Sequence, residues 1–248
     1  MKKTLQIFLL CICSTAFAQI QYGNQIGKKE VRKGLVTFAQ NTDDKGNSTY
    51  GFTMDGLPVG GQMQLTTDGK SIYQTYNKDH ELDGTQIILD RNSGNIEMYT
   101  YRKNEKNGPA FKITNGNVAW HRQYKKDIAT DKDYEVNHSA DYYSGRISDS
   151  FDGFTIDKYK GSYALGFFAY GRRAFPIIHV WDAGDSYYGQ CIQGLRKEFG
   201  VLFYKDGSKY IGAWHKNYKG GLGFMLDKGG KVIEKGFYKN GSLDIEVD

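Results

Sequence analysis

The stretches Tyr187-Tyr188-Gly189-Gln190-Cys191 and Tyr210-Ile211-Gly212-Ala213-Trp214 decide the fold, because they are one phrase written twice at an interval of 23 residues. Ala164-Leu165-Gly166-Phe167-Phe168 gives the same phrase one interval earlier. The register persists beyond the phrase: Gly171, Gly194 and Asn217 coincide, then Val180, Phe203 and Leu226, and last Gly184, Gly207 and Gly230. A period of this length means one supersecondary unit per repeat, which cannot bury an apolar face alone and must stack on its neighbours.

Composition says what the unit is made of. The chain has 31 Gly, 19 Tyr and 14 Phe but only 3 Pro. Glycine supplies the positive φ of tight turns and aromatics favour the pleated surface of a strand, so the unit is a β-hairpin. No segment carries a sustained 3.6-residue apolar period with caps, and no long helix is expected outside the leader.

A looser form of the period runs through the N-terminal half. Gly60, Gly84 and Gly108 are 24 apart, and between them lie Gly46, Gly69, Gly94 and Gly116, so each unit has two turns. Four residues after the second set come Tyr50, Tyr73, Met98 and Trp120, expected to enter one common row. Asp68-Gly69, Asn115-Gly116, Asp206-Gly207 and Asn240-Gly241 are hairpin-turn pairs, and their acids serve backbone geometry. Between Lys125 and Asp141 the period fades into a charged stretch, and it resumes at Tyr143-Ser144-Gly145-Arg146-Ile147.

Tyr210-Ile211-Gly212-Ala213-Trp214-His215-Lys216-Asn217, followed by Gly221-Leu222-Gly223-Phe224 and Lys228-Gly229-Gly230, resembles a MORN repeat, the membrane occupation and recognition nexus motif. The preceding unit matches with Cys191 in place of the usual tryptophan, and the N-terminal units are similar only to looser variants in bacterial secreted proteins. The resemblance implies an all-β, elongated, single-layer antiparallel sheet of successive hairpins of about 23 residues. With strands about 4.8 Å apart, nine such units in one sheet would extend roughly 85 Å. It also implies roles in protein association, self-association and phospholipid contact.

The organisation expected is a signal peptide over 1–18, a lead-in over 19–33, variant repeats over 34–125, a charged loop or degenerate repeat over 126–142, and MORN repeats over 143–248. Residues 1–18 have the charged start Lys2-Lys3, an apolar run from Leu5 to Cys13 and Ala16-Phe17-Ala18 before the cleavage point, which predicts export to the periplasm, cell surface or medium. The run is too short for a membrane span of about 20 residues. Cleavage would leave Cys191 as the one remaining cysteine, so stability rests on packing rather than a disulfide. It would also leave 31 basic against 28 acidic residues, too balanced for a nucleic-acid binder.

No catalytic signature stands out. His80, His121, His138, His179 and His215 match no zinc spacing, and neither a Gly-x-Ser-x-Gly elbow nor a phosphate loop is present. No cofactor or metal is expected. Cys191 reads as a packed residue rather than a nucleophile. The aromatics at equivalent positions, Phe168, Tyr187, Tyr188, Tyr210, Trp214 and Tyr238, are the candidate binding residues, on the expectation that a single layer leaves part of such a row exposed. The function expected is a non-catalytic scaffold for protein interaction or envelope attachment. The alternatives are a carbohydrate- or lipid-binding surface protein and, more remotely, a hydrolase whose paired acids the spacing conceals.

Overall fold

The computed structural model describes residues 26–130, 153–169 and 172–248. The expected leader, most of the charged stretch, the phrase at 143–147 and Gly171 lie outside them. A short helix, α1 (Lys28–Arg32), precedes the strands. The first sheet contains β1 (Val36–Thr42), β2 (Ser48–Met54), β3 (Leu57–Leu65), β4 (Lys70–Tyr76), β5 (Gly84–Asp90), β6 (Ile96–Arg102), β7 (Glu105–Lys106), β8 (Gly108–Thr114), β9 (Asn117–Lys125) and β10 (Ile128–Ala129). The second contains β11 (Gly153–Tyr159), β12 (Ser162–Ala169), β13 (Arg172–Val180), β14 (Ser186–Ile192), β15 (Leu195–Phe203), β16 (Lys209–His215), β17 (Tyr218–Leu226), β18 (Val232–Lys239) and β19 (Ser242–Glu246). The strands pair antiparallel in chain order, apart from the short β7, which pairs only with β6.

The chain is therefore all-β, built hairpin after hairpin, and each sheet is one layer thick. The period has a plain mechanical origin. The seven residues of β14, a two-residue turn, the nine residues of β15 and a five-residue connection make up one 23-residue unit, which then starts again at β16. Gly166, Gly189 and Gly212 sit in β12, β14 and β16, facing Ile177, Gly200 and Gly223 on the strands that follow.

From β13 to β19, turns of the two kinds alternate along opposite edges. In the five-residue kind, the N–H groups of Gly184, Gly207 and Gly230 donate to the carbonyls of Trp181, Tyr204 and Asp227 at 2.9–3.0 Å. The acids do backbone work there: Asp206 Oδ1 accepts from the Ser208 N–H at 2.8 Å, and Asp227 Oδ1 accepts from those of Gly229 and Lys231. Asp206-Gly207 thus belongs to a five-residue turn and Asp68-Gly69 to the four-residue connection between β3 and β4, where the Gly69 N–H donates likewise to the Thr66 carbonyl, while Asn115-Gly116 and Asn240-Gly241 form the two-residue turns expected, with positive φ at both positions. The two-residue turns are stitched across units, with the N–H of Gly194, Asn217 and Gly241 bonded to the carbonyls of Arg173, Arg196 and Lys219 at 2.9–3.0 Å.

The two sheets face one another across a shared core, so the length of one continuous ribbon is divided between two shorter sheets. Met63, Tyr73, Ile87, Met98 and Phe111 come from the first sheet, and Ile178, Phe199, Val201, Ile211 and Phe224 from the second. Val180, Phe203 and Leu226 all pack into this core, which places the three equivalent residues on one face as expected. The rings interlock edge to face: Phe52 and Phe38 on Phe224 with centroids 6.1 and 5.1 Å away, Tyr73 on Phe203 at 5.9 Å, and Phe111 on Phe154 at 5.4 Å. Each single layer turns an apolar face toward the other, and stacking the two removes both from water at once. The C-terminus closes one end of the stack, since Val247 is buried and the Phe38 N–H donates to the carbonyl of Asp248 at 2.9 Å.

The expected row of Tyr50, Tyr73, Met98 and Trp120 is corrected at its last member. Tyr73 and Met98 are buried between the sheets and Tyr50 packs against them, but Trp120 pairs with Lys112 on the outer face. Gly116 lies in a two-residue turn rather than the five-residue kind, and the β8–β9 pairing slips between Lys112 and Ile113, so the fourth residue on lands on the other side.

On the outer face of the second sheet the glycines form a track. A Cβ at Gly223 would stand 2.3–2.6 Å from the Oη, Cε2 and Cζ atoms of Tyr210, and one at Gly200 would meet the Tyr187 ring in the same way. Gly223→Ala is expected to cost roughly 1–3 kcal/mol by overpacking. Most of that penalty should vanish in a Tyr210→Ala background, since the ring supplies all three of the closest atoms. A double-mutant cycle by urea unfolding reads the coupling, and a penalty unchanged by loss of the ring would refute this packing account.

Candidate binding surfaces

The six aromatic residues singled out from the sequence are not an exposed platform. Tyr187, Tyr210 and Tyr238 are 0–1 % exposed, and Phe168 and Trp214 are 4 %. Tyr188 is half-buried, but on the opposite face, where it packs edge-on against Phe203 in the core between the sheets. The physical reason is the glycine track, which leaves room for the tyrosine rings to lie down on the sheet. The Tyr187 hydroxyl donates to the Gln190 carbonyl at 2.8 Å, and the Tyr210 hydroxyl to that of Ala213 at 2.9 Å, three residues on in each case. Trp214 stands edge-on between them, 5.5 Å from Tyr187 and 5.3 Å from Tyr210, and its Nε1 donates to the Gly200 carbonyl at 3.2 Å. Tyr238 continues the row 5.1 Å from Tyr210, its hydroxyl bonded to the Glu234 carboxylate at 2.8 Å.

Arg173, Arg196 and Lys219 recur at the same 23-residue interval and border this row. The Arg196 guanidinium lies 4.2 Å from the centroid of Trp214 and 5.7 Å from that of Tyr187, within cation–π range. Lys219 Nζ stands 5.0 Å from the Tyr210 ring and 5.5 Å from Tyr238. Burial pulls both cations below their usual pKa ranges. Cys191 occupies the place that Trp214 takes one unit later, and burial pushes its thiol up to about 12, so it carries no nucleophilic thiolate at neutral pH.

The described histidines are dispersed. His80 Nδ1 lies 3.2 Å from the Pro58 carbonyl, His121 stacks on Phe154 at 4.9 Å, and His215 is exposed. His179 is buried against Trp181, with the Arg173 guanidinium donating to its Nδ1 at 3.2 Å. Burial first, then the charges of Arg173 and Arg196, pushes its pKa down to about 4. Among the described residues no group of three His, Cys, Asp or Glu could hold a metal ion, and no helix is long and apolar enough to cross a membrane.

The outer face of the first sheet is different in character. Strand register places Ala39, Gly51, Gln62 and Gln74 side by side across β1 to β4, and Asn41, Thr49 and Gln64 in the next rank. Gln62 lies over Gly51 and turns its amide inward to the carbonyls of Phe52 and Val59 at 2.7 and 3.0 Å. Gln86 Nε2 donates to Gln74 Oε1 at 2.7 Å, and Gln74 Nε2 to the Tyr76 hydroxyl at 2.9 Å. Ala39 and the inturned Gln62 floor a trough of about 340 Å³ bordered by Asn41, Thr49, Thr53, Gln64, Gln74 and Tyr76. Beyond it, Tyr99 packs against Tyr101, Trp120 and Tyr124 with centroids 5.9–6.5 Å apart, and Lys106 sits 4.1 Å over Tyr99. The 23-residue repeat gives no sign of this face. Its signal was the recurrence of glutamines beside core residues, with Gln62 and Gln64 flanking Met63, Gln74 next to Tyr73 and Gln86 next to Ile87.

No family model and no curated protein matches the chain. Among solved structures, it is similar to the SAS-4 (dCPAP) TCP domain of Drosophila melanogaster, in complex with a proline-rich motif of Ana2 (dSTIL). The identity is 9 % over 79 % of this chain and 87 % of that one, with a TM-score of 0.21, a value that carries no argument about fold or function.

Two outcomes follow from the second sheet. Trp214→Ala should lower the unfolding free energy by roughly 3–5 kcal/mol, as for other fully buried aromatics, and a loss under about 1 kcal/mol would contradict the burial. His179 has a folded pKa of about 4, below the value near 6.5 of an unfolded histidine, so the unfolded chain binds the extra proton. Its contribution is present above about pH 6.5 and is lost as pH falls toward 4. The melting temperature should drop across that window, and His179→Gln should flatten the drop; an equal slope in both proteins would exclude this residue as its source.

Proposed function

We propose that the chain is an exported MORN-like scaffold that acts by binding at the cell envelope, associating with a protein partner or attaching to an envelope component, and not by turnover. The observation that carries this reading is the division of labour between the two outer faces. On the second sheet the aromatic, glycine and cationic positions of each unit are engaged with one another, so that face serves to hold the repeats together. The first sheet presents a broad outer face of amides, hydroxyls and half-buried rings. The leader over 1–18 supports export, and the near balance of charge does not favour adhesion to anionic lipid, where each basic residue contributes about 1 kcal/mol.

Immobilised full-length chain is expected to retain a component from envelope fractions, and substitution of Tyr101 or Trp120 should weaken that retention in steps, because each ring covers one part of an extended surface. In an enzyme, one member of a cooperating group would carry nearly the whole effect. The same preparations should show no turnover of glycosidic, ester or peptide substrates. A robust activity lost in His179→Ala or Cys191→Ala with the fold intact would overturn the reading.

A further inference from the structure

We propose that the trough on the outer face of the first sheet binds a neutral, polyhydroxylated chain, a glycan strand laid across β1 to β4. This rests on the binding-scaffold reading and names the chemistry of the component bound. The trough's volume, about 340 Å³, falls in the range of small-molecule sites, roughly 300–1,000 Å³. Its composition is the telling part. One quarter of the chain's residues are charged, yet among the described residues that line the trough none is. An exposed sheet face ordinarily carries lysine and glutamate, which keep it soluble and discourage pairing. Here their places are taken by Asn41, Thr49, Thr53, Gln64 and Gln74, groups that donate and accept from the same side chain.

That set fits hydroxyl pairs on a sugar ring and fits other ligands poorly. With no cation among the described lining residues, a phosphate or carboxylate would find no counter-charge there. A lipid chain would leave the amides desolvated without partners, at a cost of about 1–3 kcal/mol each. Addition of a peptide strand to the β1 edge is blocked at Phe38, whose N–H is already bonded to the Asp248 carbonyl.

The hydrogen-bond chain also sets direction. Gln86 donates to Gln74 and Gln74 donates to the Tyr76 hydroxyl, so that hydroxyl, having accepted, has its proton free to donate into the trough. The Tyr76 ring supplies an apolar wall for the C–H face of a sugar. The floor is Ala39 and the Gln62 amide, folded down over Gly51 and bonded to backbone carbonyls, and it lies between the ranks of Thr37 and Thr53 on one side and Asn41 and Thr49 on the other.

Affinity electrophoresis of the full chain through gels holding soluble neutral polysaccharides (a β-glucan, a galactomannan, a starch) tests the proposal. Retardation is expected in at least one gel and should be insensitive to added salt, because no charge pair is formed. Tyr76→Ala and Gln64→Ala should each weaken it by about tenfold, equivalent to 1.4 kcal/mol. Asn41→Ala, an exposed rim position, provides a third variant whose fold is least at risk. Thermal unfolding identifies any variant that has lost its fold, and the remaining variants decide the outcome.

No retardation in any neutral gel would overturn the proposal, as would folded variants that all bind like the parent. Retardation confined to an anionic polysaccharide and abolished by salt would also overturn it. If envelope retention survives complete enzymatic deglycosylation of the fraction, the glycan site is refuted while the scaffold reading stands. If nothing at all is retained, the scaffold reading itself fails.

Discussion

The tyrosine ring lying on glycine is the interaction on which the second sheet depends. Tyr210 can bring its hydroxyl to the Ala213 carbonyl only because Gly212 and Gly223, paired across two strands, have no side chains in the way. Tyr187 repeats the arrangement over Gly189 and Gly200. Each ring thereby covers two strands and ties a hairpin to itself, and Trp214 fills the gap between one ring and the next. Edge-to-face pairs of this kind add about 0.5–1.5 kcal/mol beyond their area. A repeat protein gathers its stability from such nearest-neighbour terms.

Once that face is sealed by its own rings, the other face must find a partner, and the first sheet provides it. The result is two apolar layers shared between sheets, with the phenylalanines of each interlocked with those of the other. Strain accumulates where the pairing slips between β12 and β13, β14 and β15, and β16 and β17. Phe175, Glu198 and Gly221 hold the same place in three successive units and all have positive φ. Only the third carries the residue that adopts this conformation without steric cost. The other two show how strongly the neighbouring pairing determines the backbone there.

Much of this was legible in the residues. Gly189 and Gly212, with their tyrosines two positions before, announced both the period and the strand pairing, because a glycine track imposes itself at fixed positions. The turn residues Gly184, Gly207 and Gly230 were equally plain, since only certain residues satisfy a positive φ. The side on which each ring is buried was not. Tyr187 and Tyr188 are adjacent and identical in chemistry, yet one lies on the outer track and the other faces the opposite sheet. That choice follows from a second sheet whose presence no 23-residue pattern reports. The amide ranks of the first sheet were hidden for a related reason: Asn41, Thr49 and Gln64 are far apart in sequence and become neighbours only through register.

The face-to-face arrangement of the sheets limits how such a protein can change in length over evolutionary time. An open solenoid can gain or lose a unit by tandem duplication, because each new repeat needs only the one before it. Here a duplicated hairpin in one sheet would extend past the end of the other and leave its apolar side in water. Growth would have to occur in both halves together, or the overhang would have to acquire a new cover. The C-terminal residues that bond to β1 fix the register of the two halves at one end, so their repeat numbers are inherited as a matched pair.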